Sequence, residues 1–300
     1  VTVEVRVQVR PAWPFRLTRR SGMDGLSPVR GGVLHRLLHV QDEPVRLRVA
    51  QLSSGDVLIG AEAAHELCAR SAIARMRRAL GTDLDLRDFH ERFRFDPLIG
   101  VAVRRDPTLR PAGRPDAFEA LAWAVTEQLI EYERAAAIQR RMVEALGRRD
   151  SGAGLRDSPS AAVLAGVAPA RLVSFDLAAG RALALTRVAR EVSCGRVDLD
   201  SQDGAVQEAG WRRLLAIPGI GPWTVEIMAL SAQRRLDQIP AGDLGLIKLV
   251  GRLQSGGDPY ARASEQQVRD LFARFGRWQG LAASYALRIG GVPVNAMVAA

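Results

Sequence analysis

One break in helical periodicity constrains this chain more than any other feature of it. From Trp211 to Leu246 the sequence reads WRRLLAIPGIGPWTVEIMALSAQRRLDQIPAGDLGL. Trp211, Leu214 and Leu215 keep helical spacing, and Val225, Met228 and Ala229 resume it after Pro218-Gly219-Ile220-Gly221. Proline ends the first helix, and two glycines let the backbone double back with nothing projecting above it. Pro222 then suits the first turn of the next helix, where a missing N–H is no loss. The product, over 211–230, is a hairpin of free backbone N–H groups at a helix N-terminus, shaped for one phosphate. Taken alone, the same turn also serves as an ordinary helix connection.

The longer pattern resembles the helix-hairpin-helix DNA glycosylases, and within them the alkylpurine, 3-methyladenine-type branch. The match is LxxIPGIGPWT followed, about twenty positions on, by PAGDLGL. In that family the hairpin grips the DNA backbone, which points to Gly219, Ile220, Gly221 and Thr224, with Arg212, Arg213 or Arg252 nearby. The aspartate after the second helix serves the flipped nucleotide, and it matches Asp243. Trp223 stands where lyase-type relatives carry a nucleophilic lysine and alkylpurine enzymes carry tryptophan; Ile227 stands where those enzymes carry a second aromatic. Trp223 and Ile227 are therefore the base-pocket candidates. Asp116 to Ile130 (DAFEALAWAVTEQLI) is a second, separate match, in which Gln128 and Leu129 correspond to the pair whose leucine fills the gap left by an extruded nucleotide. An apolar wedge replaces lost stacking without competing hydrogen bonds. Glu127 and Glu131 flank it, where relatives carry small or neutral residues and a carboxylate repels phosphate. Trp278 and Ser284 to Arg288 (SYALR) again resemble the alkylpurine branch, although Gly290-Gly291 stands where an aromatic is expected.

The chemistry of an N-glycosidic bond asks for little more than this. A base inside a duplex must be flipped, at roughly a few kcal/mol, least for damaged pairs. Positive charge then grows on the sugar, and an ionised carboxylate beneath it lowers the barrier. Asp243, behind Gly242 and ahead of a helical run, is placed at a helix N-terminus that favours its ionised form, where it also caps the helix and orients the attacking water. Asp237 is the alternative carboxylate. An alkylated purine leaves as a neutral base and needs no strong acid, and an indole face such as that of Trp223 attracts it while it is still cationic. Lys248, the chain's single lysine, lies more than one helical turn beyond Asp243, so no Schiff-base lyase step is expected. The implied activity is monofunctional base excision. The alternatives are a catalytically weak or inactive DNA-binding member of the same fold, and a glycosylase for deaminated or etheno bases.

The net charge of +9 suits a polyanionic partner, double-stranded DNA carrying damaged bases, and also fits a genome that favours arginine codons. Cys68 and Cys194 read as separate buried thiols, and with no cysteine cluster an iron-sulfur site is excluded. His65 with Cys68 supplies only two ligands, and His35, His39, His65 and His90 read as structural or surface residues. No metal or cofactor is expected beyond a monovalent cation at the hairpin. The lack of a long apolar span points to a cytoplasmic, membrane-free, nucleoid-associated monomer.

The predicted fold is α+β: an N-terminal antiparallel sheet with a helix over residues 1–88, then a mostly helical, two-lobed glycosylase core over 89–300. Residues 1–10 (VTVEVRVQVR) alternate strictly, and strands are expected at 32–40, 44–52 and 56–60, then a helix at 61–80. Residues 83–115 read as loop, with Trp13 and Phe15 as core or pocket aromatics. A helix opens at Asp116, 148–158 is a loop, and further helices are expected at 159–168, 177–195, 244–253, 264–275 and 278–290, with 291–300 as a tail.

Overall fold

Alternation in the first residues becomes an edge strand, β1 (Val3–Val9), whose even positions face solvent while the odd ones turn toward a helix. The computed structural model describes residues 2–150 and 152–289, so Gly290-Gly291 and the tail lie outside the described residues. After the short β2 (Val29–Arg30), β3 (Val33–Val40), β4 (Glu43–Gln51) and β5 (Val57–Ala63) complete an antiparallel sheet of order β1-β5-β4-β3-β2. The register pairs Val5 with Ala61, Leu47 with Ala61 and Leu34 with Val49. Those pairings carry β5 on to Ala63, so helix α1 (Glu66–Leu80) starts five residues later than the expected Ala61. Ala61 and Ala63 alternate inward, and two neighbouring strands to pair with outweigh alanine's helix preference. Cys68, Ala69, Ala72, Ile73 and Met76 of α1 close a core over Leu38, Val45, Leu47 and Ile59.

The span expected to be loop holds two helices, α2 (Arg87–Phe93) and α3 (Gly100–Arg105). Both are short, and what makes them helical is burial of Phe89, Phe93, Ala102 and Val103 against helices that come 170 or more residues later, which no local window contains. The expected boundary near Asp88 thus falls inside α2, an element of the C-terminal core.

The remaining chain is helical apart from one small hairpin. Asp116 caps α4 (Ala117–Glu127), its carboxylate accepting the Glu119 amide at 2.8 Å. Helix α5 (Tyr132–Leu146) follows, and residues expected as loop form β6 (Arg149–Asp150) and β7 (Leu155–Arg156). Then come α6 (Ala161–Gly166), α7 (Pro169–Val173), α8 (Ala179–Ser193) and α9 (Gly204–Leu215). Past the hairpin lie α10 (Pro222–Ser231), α11 (Leu244–Gln254), α12 (Glu265–Ala273) and α13 (Gln279–Ile289). Cys194 caps α8 and is exposed, a correction to its reading as a buried thiol; Gly195 behind it takes a left-handed φ of 68°.

Two apolar cores give the helical part its two lobes. One joins α4 through α10, and the other joins α2, α3 and α11 to α13. Helix α10 serves both, sending Val225 and Met228 into the first and Ile227 and Leu230 into the second. It is apolar nearly all round because it is buried nearly all round.

Candidate nucleic-acid interface and catalytic carboxylate

The hairpin forms as the glycines dictate. Gly219 has a φ of 91°, and a Cβ there would stand 3.2 Å from that of Ala184, so both conformation and space call for glycine. Gly221 differs: its φ is −105°, and an added Cβ would meet nothing within 4 Å. Nothing inside the protein requires that glycine, and the surface above it is bare. The amides of Gly219, Gly221 and Trp223 make no hydrogen bond among the described residues and crown the N-terminus of α10. Two neighbours expected to grip DNA do not offer donors. The Ile220 amide bonds Ile217 O at 3.0 Å with its side chain in the first core, and the Thr224 amide bonds Gly221 O at 3.1 Å with its side chain buried. Both are inner braces of the turn. Arg212 is exposed beside it, whereas Arg213 is paired with Glu191. The carbonyls of Ile217 and Gly219 already accept the Ile220 amide and the Gln128 side chain, which leaves each one lone pair that suits a hard monovalent cation.

The wedge stands next to the hairpin and is bolted to it. Gln128 Nε2 donates to Gly219 O at 3.0 Å and to Thr224 Oγ1 at 2.8 Å, so Thr224 serves this bridge rather than a phosphate. Leu129 follows with a φ of 53° and a side chain fully in solvent. A bulky residue in left-handed backbone, with its apolar surface unburied, is held there by its surroundings against its own preference. Glu127, expected to repel phosphates beside the wedge, points inward: it is buried, accepts Gln139 Nε2 at 3.0 Å, and burial pushes its carboxyl above the usual glutamate range.

Asp243 sits at the N-cap of α11, on the second lobe. Its Oδ1 accepts the amides of Gly245 at 2.8 Å and Leu246 at 3.2 Å. Burial raises the carboxyl above the ordinary aspartate value, outweighing those amides and the neighbouring Trp223 indole, all of which lower it. Helix-terminus reasoning alone pointed the other way; desolvation is the larger influence. The residue is nevertheless partly exposed, with exposed Leu244 on one side and half-buried Trp223 on the other. The alternative carboxylate, Asp237, is committed elsewhere, held by Arg235 at 2.8 Å and 2.9 Å and by Gln238 at 2.8 Å. Ile227 belongs to the second core and packs one turn behind Trp223, so of the two expected pocket residues only Trp223 adjoins Asp243.

Trp13 and Phe15 are likewise structural. The Trp13 ring lies 4.6 Å from that of His90 and its Nε1 donates to Pro107 O at 2.8 Å, while Phe15 lies under the Arg110 guanidinium at 5.4 Å. His90 meets the Tyr285 hydroxyl at 3.2 Å and is driven by burial down to about 4, so it stays neutral.

The structure thus holds the exposed Leu129 and the glycine hairpin, joined through Gln128, on one lobe, and the capped Asp243 beside Trp223 of α10 on the other. A DNA-3-methyladenine glycosylase of Bacillus subtilis is 26% identical over 209 residues, 69% of this chain and 68% of that one. In sequence and in fold the chain is similar to the helix-hairpin-helix DNA glycosylases. Its relatives lie in the alkylpurine branch of that superfamily. A probable bifunctional transcriptional activator/DNA repair enzyme AlkA of Mycobacterium tuberculosis is 30% identical over 228 residues, 75% of this chain but only 44% of that protein. Among solved structures, the 3-methyladenine DNA glycosylase of Archaeoglobus fulgidus superposes with a TM-score of 0.77 at 19% identity, covering 95% of this chain and 97% of that one, sheet included. No family model matches the chain. No described helix is long and apolar enough to cross a membrane.

Proposed function

We propose that this chain is a monofunctional DNA glycosylase of base-excision repair, hydrolysing the N-glycosidic bond of a flipped, alkylated purine in double-stranded DNA. The observation that carries the reading is the partly desolvated Asp243 carboxylate at a helix N-cap beside the half-exposed Trp223 indole. Asp243 stabilises the oxocarbenium-like sugar and orients water, Trp223 forms a wall against the cationic base, and Leu129 fills the vacated stack. The amides of Gly219 and Gly221, with Arg212, hold backbone phosphate. A monomer acting on one lesion needs nothing more, and the absence of lysine at position 223 supports hydrolysis without a lyase step.

The deciding experiment is release of methylated purines from alkylated DNA by the wild type and by Asp243→Asn. Release that falls by about 100-fold or more in the variant supports the reading. No release by either protein supports instead a DNA-binding member without catalysis, to which the enclosed position of Ile227 lends some weight. A strong covalent adduct on borohydride treatment contradicts the monofunctional part.

A further inference from the structure

A cleft of about 520 Å³ opens where the coil after β1 meets residues 106–115 and the end of α13. Its floor is apolar, built from Leu17, Leu34, Met76 and Leu109. Its rim carries Arg16, Arg19, Arg20 and Arg288, all exposed and none in an ion pair among the described residues. One carboxylate lines it, Asp106, and that is turned onto the amide and hydroxyl of Thr108 at 3.2 Å and 2.7 Å.

Arg110, buried in the wall of the cleft, and the half-buried Arg234 behind it pair with no carboxylate among the described residues. Arg110, 8% exposed, donates to the carbonyls of Gly81 at 3.0 Å, Pro14 at 2.8 Å, Thr108 at 3.0 Å and Trp13 at 3.1 Å. Arg234, in left-handed backbone at a φ of 58°, donates to Arg78 O at 2.8 Å, Pro111 O at 2.8 Å and Ala79 O at 2.6 Å. Burial lowers both to about 10, and the charge of Arg110 lowers Arg234 further; both are still protonated at neutral pH. Arg114, close by, shows the usual solution, with Asp24 at 2.9 Å and Glu119 at 3.1 Å. Buried charge is ordinarily paired, because neutral dipoles replace water incompletely. Here no counter-charge stands against either guanidinium among the described residues, and Arg110 borders an open, arginine-rimmed cleft.

We propose that this cleft binds a nucleoside phosphate, its phosphate on the rim arginines and its planar base on the apolar floor. The volume is that of small-ligand sites, about 300–1,000 Å³. The rim side chains carry free guanidinium forks suited to phosphate. Arg110 and Arg234 have most of their donors engaged, so they contribute field rather than contacts. The site is separate from the DNA-gripping surface. Arg114 N bonds Ser231 O at 3.1 Å, tying the start of α4 to the far end of α10, while Gln128 ties the other end of α4 to the hairpin. The cleft and the hairpin therefore lie toward opposite ends of α4 and α10.

Isothermal titration calorimetry on the full chain tests this, with adenosine 5′-monophosphate, adenosine and inorganic phosphate as probes. The proteins are the wild type, an Arg16→Ala/Arg19→Ala/Arg20→Ala triple variant, the single variant Arg19→Glu, and Arg212→Ala as a hairpin control. The triple variant removes no bond among the described residues, and its melting curve checks its folding. The nucleotide should bind the wild type and Arg212→Ala alike, with at least about tenfold weaker binding to the triple variant and weaker binding to Arg19→Glu. Adenosine and phosphate should each bind the wild type at least about tenfold more weakly than the nucleotide. No saturable nucleotide binding in the millimolar range overturns the proposal. So does binding that the triple variant leaves unchanged but Arg212→Ala abolishes, which would assign the nucleotide to the hairpin.

Discussion

Leu129 and Asp243 are both held in states that their own chemistry opposes. Leu129 occupies left-handed backbone and exposes its whole side chain, at about 1–2 kcal/mol relative to a right-handed residue. Leu129→Gly is therefore expected to raise the melting temperature slightly while lowering base release from duplex DNA; a variant both less stable and fully active would refute the wedge. Asp243 has its folded pKa raised by burial, so its ionised form is less favoured in the fold than in the unfolded chain, and this cost is present at every pH above the folded value. Asparagine caps as well as aspartate without the desolvated charge. Asp243→Asn should thus melt at or above the wild-type temperature while losing activity, as thermal unfolding and base release together would show. The same raised pKa places the acid limb of the wild-type rate profile above the ordinary aspartate value, since the proposed catalysis needs the ionised form and fades as pH falls through the raised pKa.

At the scale of the element, the hairpin separates two glycines that look equivalent in sequence. Gly219→Ala meets both a left-handed φ and the Ala184 methyl, and is expected to cost about 1–2 kcal/mol of stability. Gly221→Ala has open space and an extended backbone, so the fold should be unaffected while affinity for DNA drops. Melting curves paired with fluorescence-anisotropy titrations distinguish these outcomes; equal loss of stability in both variants would show that the hairpin glycines serve only the turn. Periodicity and turn chemistry made this element legible, because both are local. The bridge from Gln128 to Gly219 and Thr224 was not, since its partners lie 91 and 96 residues apart.

Across the whole molecule, sheet and helical lobes are joined by charge as well as by apolar contact. Arg36 of β3, 1% exposed, reaches Glu119 of α4 and lies 3.2 Å from Asp157, which also accepts from His39 and from Arg148. Removing one partner of such a network strands buried carboxylates, so Arg36→Met should destabilise by about 3–5 kcal/mol in urea unfolding. A smaller loss would mean that Arg114 and Arg148 compensate. The network could not be read from sequence, because Glu119 and Asp157 lie 83 and 121 residues from Arg36. It fastens the N-terminal layer to α4, while α2 belongs to the core of the C-terminal helices.

The amino-acid sequence by itself determined the alternating strand at the N-terminus, the helix caps at Asp116 and Asp243 and the glycine hairpin, because each depends on periods and backbone preferences a few residues long. Tertiary structure alone decided which groups of that stretch remain free. It turned Glu127, Thr224, Ile220 and Ile227 inward, made helices of 87–93 and 100–105, and set Arg110 in the wall of an open cleft and Arg234 behind it, neither with a counter-charge among the described residues. Burial and desolvation depend on what the rest of the chain brings alongside, and no local pattern carries that information.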